Sequence, residues 1–335
     1  MNTEILSTHT PALFSAAVKS AAELLRAGEV VALPTETVYG LAANALNAQA
    51  VAKIFQTKGR PANNPIIVHV AGNEMAKLCA ENFPPLAEKL SKSFWPGPLT
   101  LVLQRAEKIP DVVTAGGETV GVRWPSHPFI QAVIRECGFP LAAPSANLSN
   151  QISPTNAEHV RAQLGGKIPL IVDGGQSQVG IESTVLDLTV SPPQILRPGM
   201  VHAESLAAAV GNIQHPTSNI QHPNLKSPGL LKKHYSPKAK LLVLNWKHDA
   251  DLRFQLSTFN FQPSTCFIIA HTKIPSGENF ADVSVMPHDA EAFARALYAE
   301  MHRCDAAGAE LIVVETPPDL PEWSGIADRL RRAAA

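Results

Sequence analysis

Residues 33–65 read LPTETVYGLAANALNAQAVAKIFQTKGRPANNP, and this stretch decides how the chain is organised. It leaves a short apolar strand predicted over 30–33, passes through the polar turn Thr35-Glu36-Thr37, and enters a helix predicted over 48–58. Asn47 is placed to cap that helix, and Val51, Ile54 and Phe55 fall on its buried face. Gly59 reads as a left-handed terminator, and Pro61 prevents continuation. Lys58 and Arg60 straddle that glycine. Two cations at a helix stop suit a core poorly and a place where anions are held well. Residues 66–70 read as the next strand, so strand, helix and strand follow one another as in an α/β domain.

Outward from this segment, residues 11–28 form an amphipathic helix pattern, with Val18, Ala21, Ala22 and Leu25 at helical spacing and Gly28 at the stop. Helices are predicted near 74–80, 85–94 and 127–137, and strands near 99–103, 119–123 and 140–143. Thr155-x-x-Glu158 matches a capping box opening a helix to Leu164, and strands follow at 169–172, 183–188 and 194–197. Strands and helices mix without strict alternation, which predicts a twisted mixed sheet rather than a regular doubly wound one. Residues 202–238 turn polar and carry a near-repeat of Asn-Ile-Gln-His-Pro, a linker composition. Periodicity then returns with buried strands at 241–244, 266–270 and 311–314, a helix striped by Phe293, Leu297, Met301 and Cys304 and ended by Gly308, and a last helix over 323–333. These predict a smaller Rossmann-like α/β domain, without the G-x-G-x-x-G of a dinucleotide binder. The expected division is a first domain over 1–205, a linker over 206–238 and a second domain over 239–335.

Composition narrows the function. The 335 residues carry a net charge of −1, so no global basic field advertises nucleic-acid binding and any positive site is local. Four cysteines, Cys79, Cys137, Cys266 and Cys304, lie far apart with no C-x-x-C pair, which fits reduced thiols. The opening MNTEILSTHTPALF lacks a basic segment followed by an apolar run, and no stretch approaches about 18 consecutive apolar residues, so a cytoplasmic protein is expected. A Walker loop, a G-x-S-x-G elbow, an H-E-x-x-H helix and an EF-hand loop are all missing from the sequence. Phosphates, if handled, are handled by side-chain cations. Lys58, Arg60, Arg123 and Arg197 each sit between an apolar element and a Pro or Gly break, where binding loops live. Any one of them alone reads first as a surface charge. Thr35, Thr37, Ser145, Asn147, Ser183 and Thr184 cluster in similar places, although such residues also serve as ordinary caps and turns. His69 interrupts an apolar strand and reads first as a core histidine, and Asn64 as part of a turn.

Together, Pro34-Thr-Glu-Thr-Val-Tyr-Gly40, Lys58-x-Arg60, Ser145-x-Asn147 and the Ser227-Pro-Gly…Lys-His-Tyr-Ser-Pro237 linker resemble the YrdC-like threonylcarbamoyl-AMP synthases, in the long form that adds a linker and a C-terminal domain. The resemblance covers essentially the whole chain. It implies a nucleotidyltransferase that converts L-threonine, bicarbonate (or CO2) and ATP to threonylcarbamoyl-AMP and pyrophosphate. A downstream transferase complex then modifies tRNA to N6-threonylcarbamoyladenosine. By positional match it implies Lys58 and Arg60 as the catalytic cations. Threonine contacts fall to Thr37, His69, Arg123, Ser145 and Ser183. ATP contacts fall to Lys58, Arg60, Asn64, Thr119, Ala143 through its backbone, Asn147, Ser153, Arg197 and Tyr235. It also implies Mg2+ bridging the ATP phosphates with few or no protein ligands, a weak tRNA contact at most, and residues 227–237 closing over the nucleotide as a lid. From the residues alone two rivals stay open: an RNA-binding module, disfavoured by near-neutral charge and 6% aromatic content, and a carbamoyl-transfer domain acting on a protein thiol.

Overall fold

The computed structural model describes residues 2–215, 226–228, 233–276 and 279–335. The second Asn-Ile-Gln-His-Pro copy and residues 229–232 of the expected lid lie outside the described residues. Contacts divide the chain into two compact units, Met1–Ser149 with Ser153–Leu230 and Asn150–Ile152 with Leu231–Ala335.

In the first unit, ten strands among the described residues share one sheet: β1 (Glu4–Ser7), β2 (Val31–Leu33), β3 (Gly40–Asn44), β4 (Val68–His69), β5 (Leu99–Gln104), β6 (Thr119–Arg123), β7 (Leu141–Ala142), β8 (Leu170–Asp173), β9 (Thr184–Asp187) and β10 (Gln194–Arg197). Their order is β1-β8-β2-β3-β7-β4-β6-β5-β9-β10, with parallel and antiparallel pairs mixed. Side chains alternate between two cores, as a pleated strand requires. Val31, Leu33, Ala42, Leu141, Leu170 and Val172 pack under the helices Pro11–Arg26 and Pro128–Cys137. Ala32, Leu41, Ala43, Ala142 and Ile171 face the opposite core with the helix Ala48–Lys58. That helix follows its sequence pattern. Asn47 Oδ1 accepts from the Gln49 and Ala50 N–H groups, and Gly59 closes it at φ +60.

Some expectations shift. The helix near 157 is capped by Asn156, whose Oδ1 accepts from the His159 N–H, so Thr155 is not the cap residue of a box. The 66–70 strand contracts to Val68–His69, and the short strands β1 and β3 emerge where no strand was predicted. β3 reads Gly-Leu-Ala-Ala-Asn, small residues of weak strand propensity, and forms because β2 and β7 pair with it on either side.

The second unit holds an all-parallel sheet, β11 (Lys240–Leu244), β12 (Cys266–Ala270), β13 (Asp282–Val285) and β14 (Leu311–Glu315), in the order β11-β14-β12-β13. The helix Ala290–Ala306 buries Phe293, Leu297, Met301 and Cys304, as its stripe predicts. Sequence reading missed β13 and the helix Asp249–Thr258. Among the described residues no helix is long and apolar enough to cross a membrane.

Candidate active site

The turn after β2 is fixed from both sides. Thr35 Oγ1 donates to the Val38 carbonyl at 2.6 Å and lies 2.9 Å from Thr37 Oγ1. The Val179 and Gly180 N–H groups donate to the Glu36 and Thr37 carbonyls, and Ala146 N–H donates to the Tyr39 carbonyl. Tyr39, fully buried, donates its hydroxyl to the Gly175 carbonyl at 2.7 Å and accepts from Gly174 N–H. The turn is therefore a rigid floor, tied to the loops that follow β7 and β8.

The four predicted cations are each buried: Lys58 (2% exposed), Arg60 (8%), Arg123 (3%) and Arg197 (3%). Lys58, at the last turn of its helix, donates to the Ser145 carbonyl (2.5 Å), the Asn147 carbonyl (2.5 Å) and Asn147 Oδ1 (3.0 Å). Ser145 Oγ donates to the same Oδ1 at 2.6 Å. Lys-x-Arg and Ser-x-Asn thus meet through Lys58. Burial, and then the charge of Arg60, push the Lys58 pKa well down. Three acceptors nonetheless converge on Nζ, and only the protonated amine has three hydrogens to give, so the geometry describes the ammonium form. Among the described residues no carboxylate pairs with Lys58. A buried ammonium held by neutral oxygens alone is costly and calls for an anion nearby.

Arg60 donates from Nε to the Asn64 carbonyl and from Nη2 to Asn64 Oδ1 and the Pro65 carbonyl. Asn64 is itself fully buried, and its Nδ2 has no hydrogen-bond partner among the described residues. Arg123, at the end of β6, donates from Nη1 to Thr37 Oγ1 (2.9 Å) and from Nε to the Gly97 carbonyl (3.2 Å). His69 is its register neighbour on β4. Burial, then the Arg123 charge, lower the His69 pKa well below 6.5 and keep the ring neutral near pH 7. Arg197, at the end of β10, donates to the Ser183 carbonyl (3.0 Å) and Ser183 Oγ (3.1 Å), and Ser183 Oγ lies 2.8 Å from Thr100 Oγ1. Gly199 makes this approach possible. A Cβ there would stand 2.6 Å from Thr184 N and 2.8 Å from the Glu182 carbonyl oxygen.

Lys58, Ser145, Thr37, Arg123 and the Ser183 segment are thereby linked. Lys58 reaches Ser145, which bridges to Gly40 beside the Thr37 turn; Thr37 reaches Arg123; Arg123 reaches Gly97, next to Pro98, which accepts from Thr184 N–H beside Ser183. Ser153 Oγ donates to Glu182 Oε1 at 2.6 Å. Ala143 gives its N–H to the Ile67 carbonyl. Thr119 lines a small cleft with Pro65, Ser227 and Pro228. Tyr235 belongs to the second unit, where its ring stacks on Tyr298 with the Arg329 guanidinium 5.4 Å from its centroid. No group of three or more His, Cys, Asp or Glu side chains suited to a metal ion occurs among the described residues.

Sequence reading passed over Glu36 and Thr100 as functional residues. Glu36 is 5% exposed, and its Oε1 lies 2.6 Å from Arg123 Nη2. Its signal was a carboxylate embedded in an otherwise apolar and hydroxylic turn. Thr100 gave none beyond a lone hydroxyl in an apolar strand.

Comparison with known proteins follows the same lines. Residues 23–199 match the Sua5_yciO_yrdC family model, described as telomere recombination, and residues 201–335 match the model for the threonylcarbamoyl-AMP synthase C-terminal domain. The chain is 42% identical to the threonylcarbamoyl-AMP synthase of Bacillus subtilis, over 99% of this chain and 95% of that protein. It is 40% identical to that of Pyrococcus abyssi, over 95% and 94%. The crystal structure of P. abyssi Sua5 complexed with L-threonine superposes with a TM-score of 0.91 at 36% identity, covering 100% of this chain and 98% of that one.

Proposed function

This chain belongs to the Sua5/YciO/YrdC family, and we infer that it is an L-threonylcarbamoyladenylate synthase, joining L-threonine, bicarbonate or CO2, and ATP into threonylcarbamoyl-AMP with release of pyrophosphate. The product serves formation of N6-threonylcarbamoyladenosine in tRNA. The observation that carries this reading is the match to such synthases along almost the whole chain, and the burial of Lys58, Arg60, Arg123 and Arg197 beside hydroxyl and amide groups supports it.

The chemistry suits that site. The threonine amine, having lost a proton, attacks the carbon of CO2, and the new N–C bond gives a carbamate. A carbamate oxygen then attacks the α-phosphorus of ATP, and the bond to pyrophosphate breaks. No protein nucleophile enters, so rate comes from alignment and from stabilising negative charge. Arg123 is assigned to the amino-acid carboxylate, with Thr37, His69, Ser145 and Ser183 around the rest of threonine. Arg60, Asn64, Thr119, Ala143, Asn147, Ser153 and Arg197 are assigned to ATP. The unpartnered Nδ2 of Asn64 supports this, since a buried donor without an acceptor fits a ligand oxygen. Lys58 stands between the two groups, holding the 145–147 loop. Mg2+ would arrive with ATP and would supply neutralisation of phosphate charge. Contact of Tyr235 with the nucleotide, the lid role of 227–237 and a cytoplasmic setting are proposed on the resemblance alone.

The test is incubation with ATP, magnesium, bicarbonate and labelled threonine, followed by chromatography. An adenylate that depends on both threonine and bicarbonate is expected. Turnover absent in wild-type protein, with salt-sensitive tRNA binding in its place, would favour the RNA-binding rival.

A further inference from the structure

Arg123 is assigned above to the amino-acid carboxylate, yet it already faces a carboxylate. Glu36 Oε1 sits 2.6 Å from its Nη2, and both side chains are almost wholly buried. The contact is short but poorly aligned as a hydrogen bond, and the Ser126 backbone N–H also approaches the carboxylate. The other edges of the guanidinium are committed to Thr37 and Gly97. The backbone around Glu36 is fixed by Val179 and by the Thr35–Thr37 hydroxyl pair, so its placement is not that of a mobile surface acid. A buried carboxylate whose contacts with Arg123 and the Ser126 N–H are poorly aligned keeps acceptor capacity that a ligand's donor could use. Burial alone would raise its pKa, but the Arg123 charge together with hydrogen bonds from Arg123 and the backbone outweighs this and holds the group ionised.

The pair is a fixed plus and a fixed minus lying side by side. An amino acid is a minus and a plus joined through one carbon. We propose that Glu36 binds the α-ammonium of the substrate while Arg123 binds its α-carboxylate, so that the pair opens to admit a zwitterion, charge for charge. This rests on the synthase reading and adds to it a binding residue and a basis for selecting amino acids over hydroxy acids. Each buried charge exchanges one opposite partner for another, so neither is left unpaired, which is the condition under which burying ions is tolerable. An acid carrying a hydroxyl in place of the ammonium would take Arg123 and strand Glu36 without a counter-charge.

The experiment compares binding of L-threonine and of 2,3-dihydroxybutanoate of matching stereochemistry, by calorimetry, in wild type and in Glu36→Gln. Glutamine keeps the shape and an oxygen for Arg123 but removes the charge. Wild type should bind the dihydroxy acid at least about 30-fold more weakly than threonine, and Glu36→Gln should lose a similar factor for threonine while leaving the dihydroxy acid nearly unchanged. A residue that only props up Arg123 would weaken both ligands equally, and that result overturns the proposal. If the variant does not fold, the wild-type comparison decides: equal binding of the two acids overturns it as well. Failure of the synthase reading is separately visible, because wild-type protein would then bind neither acid and form no adenylate.

Discussion

Replacing Lys58 by methionine tests the site where the sequence motifs meet. Methionine keeps an unbranched apolar stem and removes the three donors that reach the Ser145 carbonyl, the Asn147 carbonyl and Asn147 Oδ1. Asn147 Oδ1 keeps its Ser145 Oγ donor, so two buried carbonyls are left unmet at about 1–3 kcal/mol each, a ceiling of roughly 2–6 kcal/mol. Against this, the variant no longer buries an ammonium, which relieves several kcal/mol. The two nearly offset, so the melting temperature should move modestly in either direction. Activity has no such offset. The 145–147 loop loses its anchor and the site loses a positive charge, and removal of one preorganised charge-stabilising donor costs about 10²–10³ in rate. Because Ser145 is a threonine contact in this reading, the threonine KM should rise together with the fall in kcat. Lys58→Arg should not rescue, since a planar fork cannot serve three acceptors that converge on one point. The assay is ATP–pyrophosphate exchange dependent on threonine and bicarbonate, with thermal denaturation as the fold control. A folded Lys58→Met protein exchanging within about threefold of wild type would refute the reasoning.

Other outcomes follow from neighbouring geometry. Gly199→Ala forces a Cβ against backbone atoms of Thr184 and Glu182 at 2.6 and 2.8 Å, so stability should fall by about 1–3 kcal/mol in a denaturant melt and the threonine KM should rise as Ser183 shifts. The His69 pKa is lowered on folding, so below its ordinary value of 6.5 the unfolded chain binds more protons and stability declines as pH falls. In His69→Gln that decline should flatten by up to about 1.4 kcal/mol per pH unit, and parallel wild-type and variant curves would contradict it. Serine, lacking one methyl, should be disfavoured by only about 1–3 kcal/mol in kcat/KM, and valine far more strongly; valine competing as well as serine would show that the hydroxyl is not read. Deleting 227–237 should raise the ATP KM and lower the yield of adenylate, and unchanged kinetics would end the lid proposal.

Residues whose structural role is local were legible in the chain. Asn47 and Gly59 bound their helix because capping and left-handed closure depend on the residue itself. The cations were legible because each stands beside a chain break, and the paired motifs because their flanks resemble a known family. Thr155 shows the limit: the box pattern fitted, yet the neighbouring Asn156 offered its side chain to the same N–H region, and the asparagine cap won. β3 shows another, because a strand of Gly, Leu and Ala exists only once its neighbours are in place.

By itself the sequence determined which segments are helix or strand where periodicity was strong, which residues could meet an anion, and which family the motifs resemble. Each of these is written within a few residues. Tertiary structure alone decided the strand order that sets β4 beside β6, and so His69 beside Arg123. It also decided that Lys58 spends its hydrogens on a loop almost ninety residues away, and that Glu36 lies against Arg123. Those contacts arise from burying both faces of one sheet, a cooperative outcome of the whole core that no local pattern records.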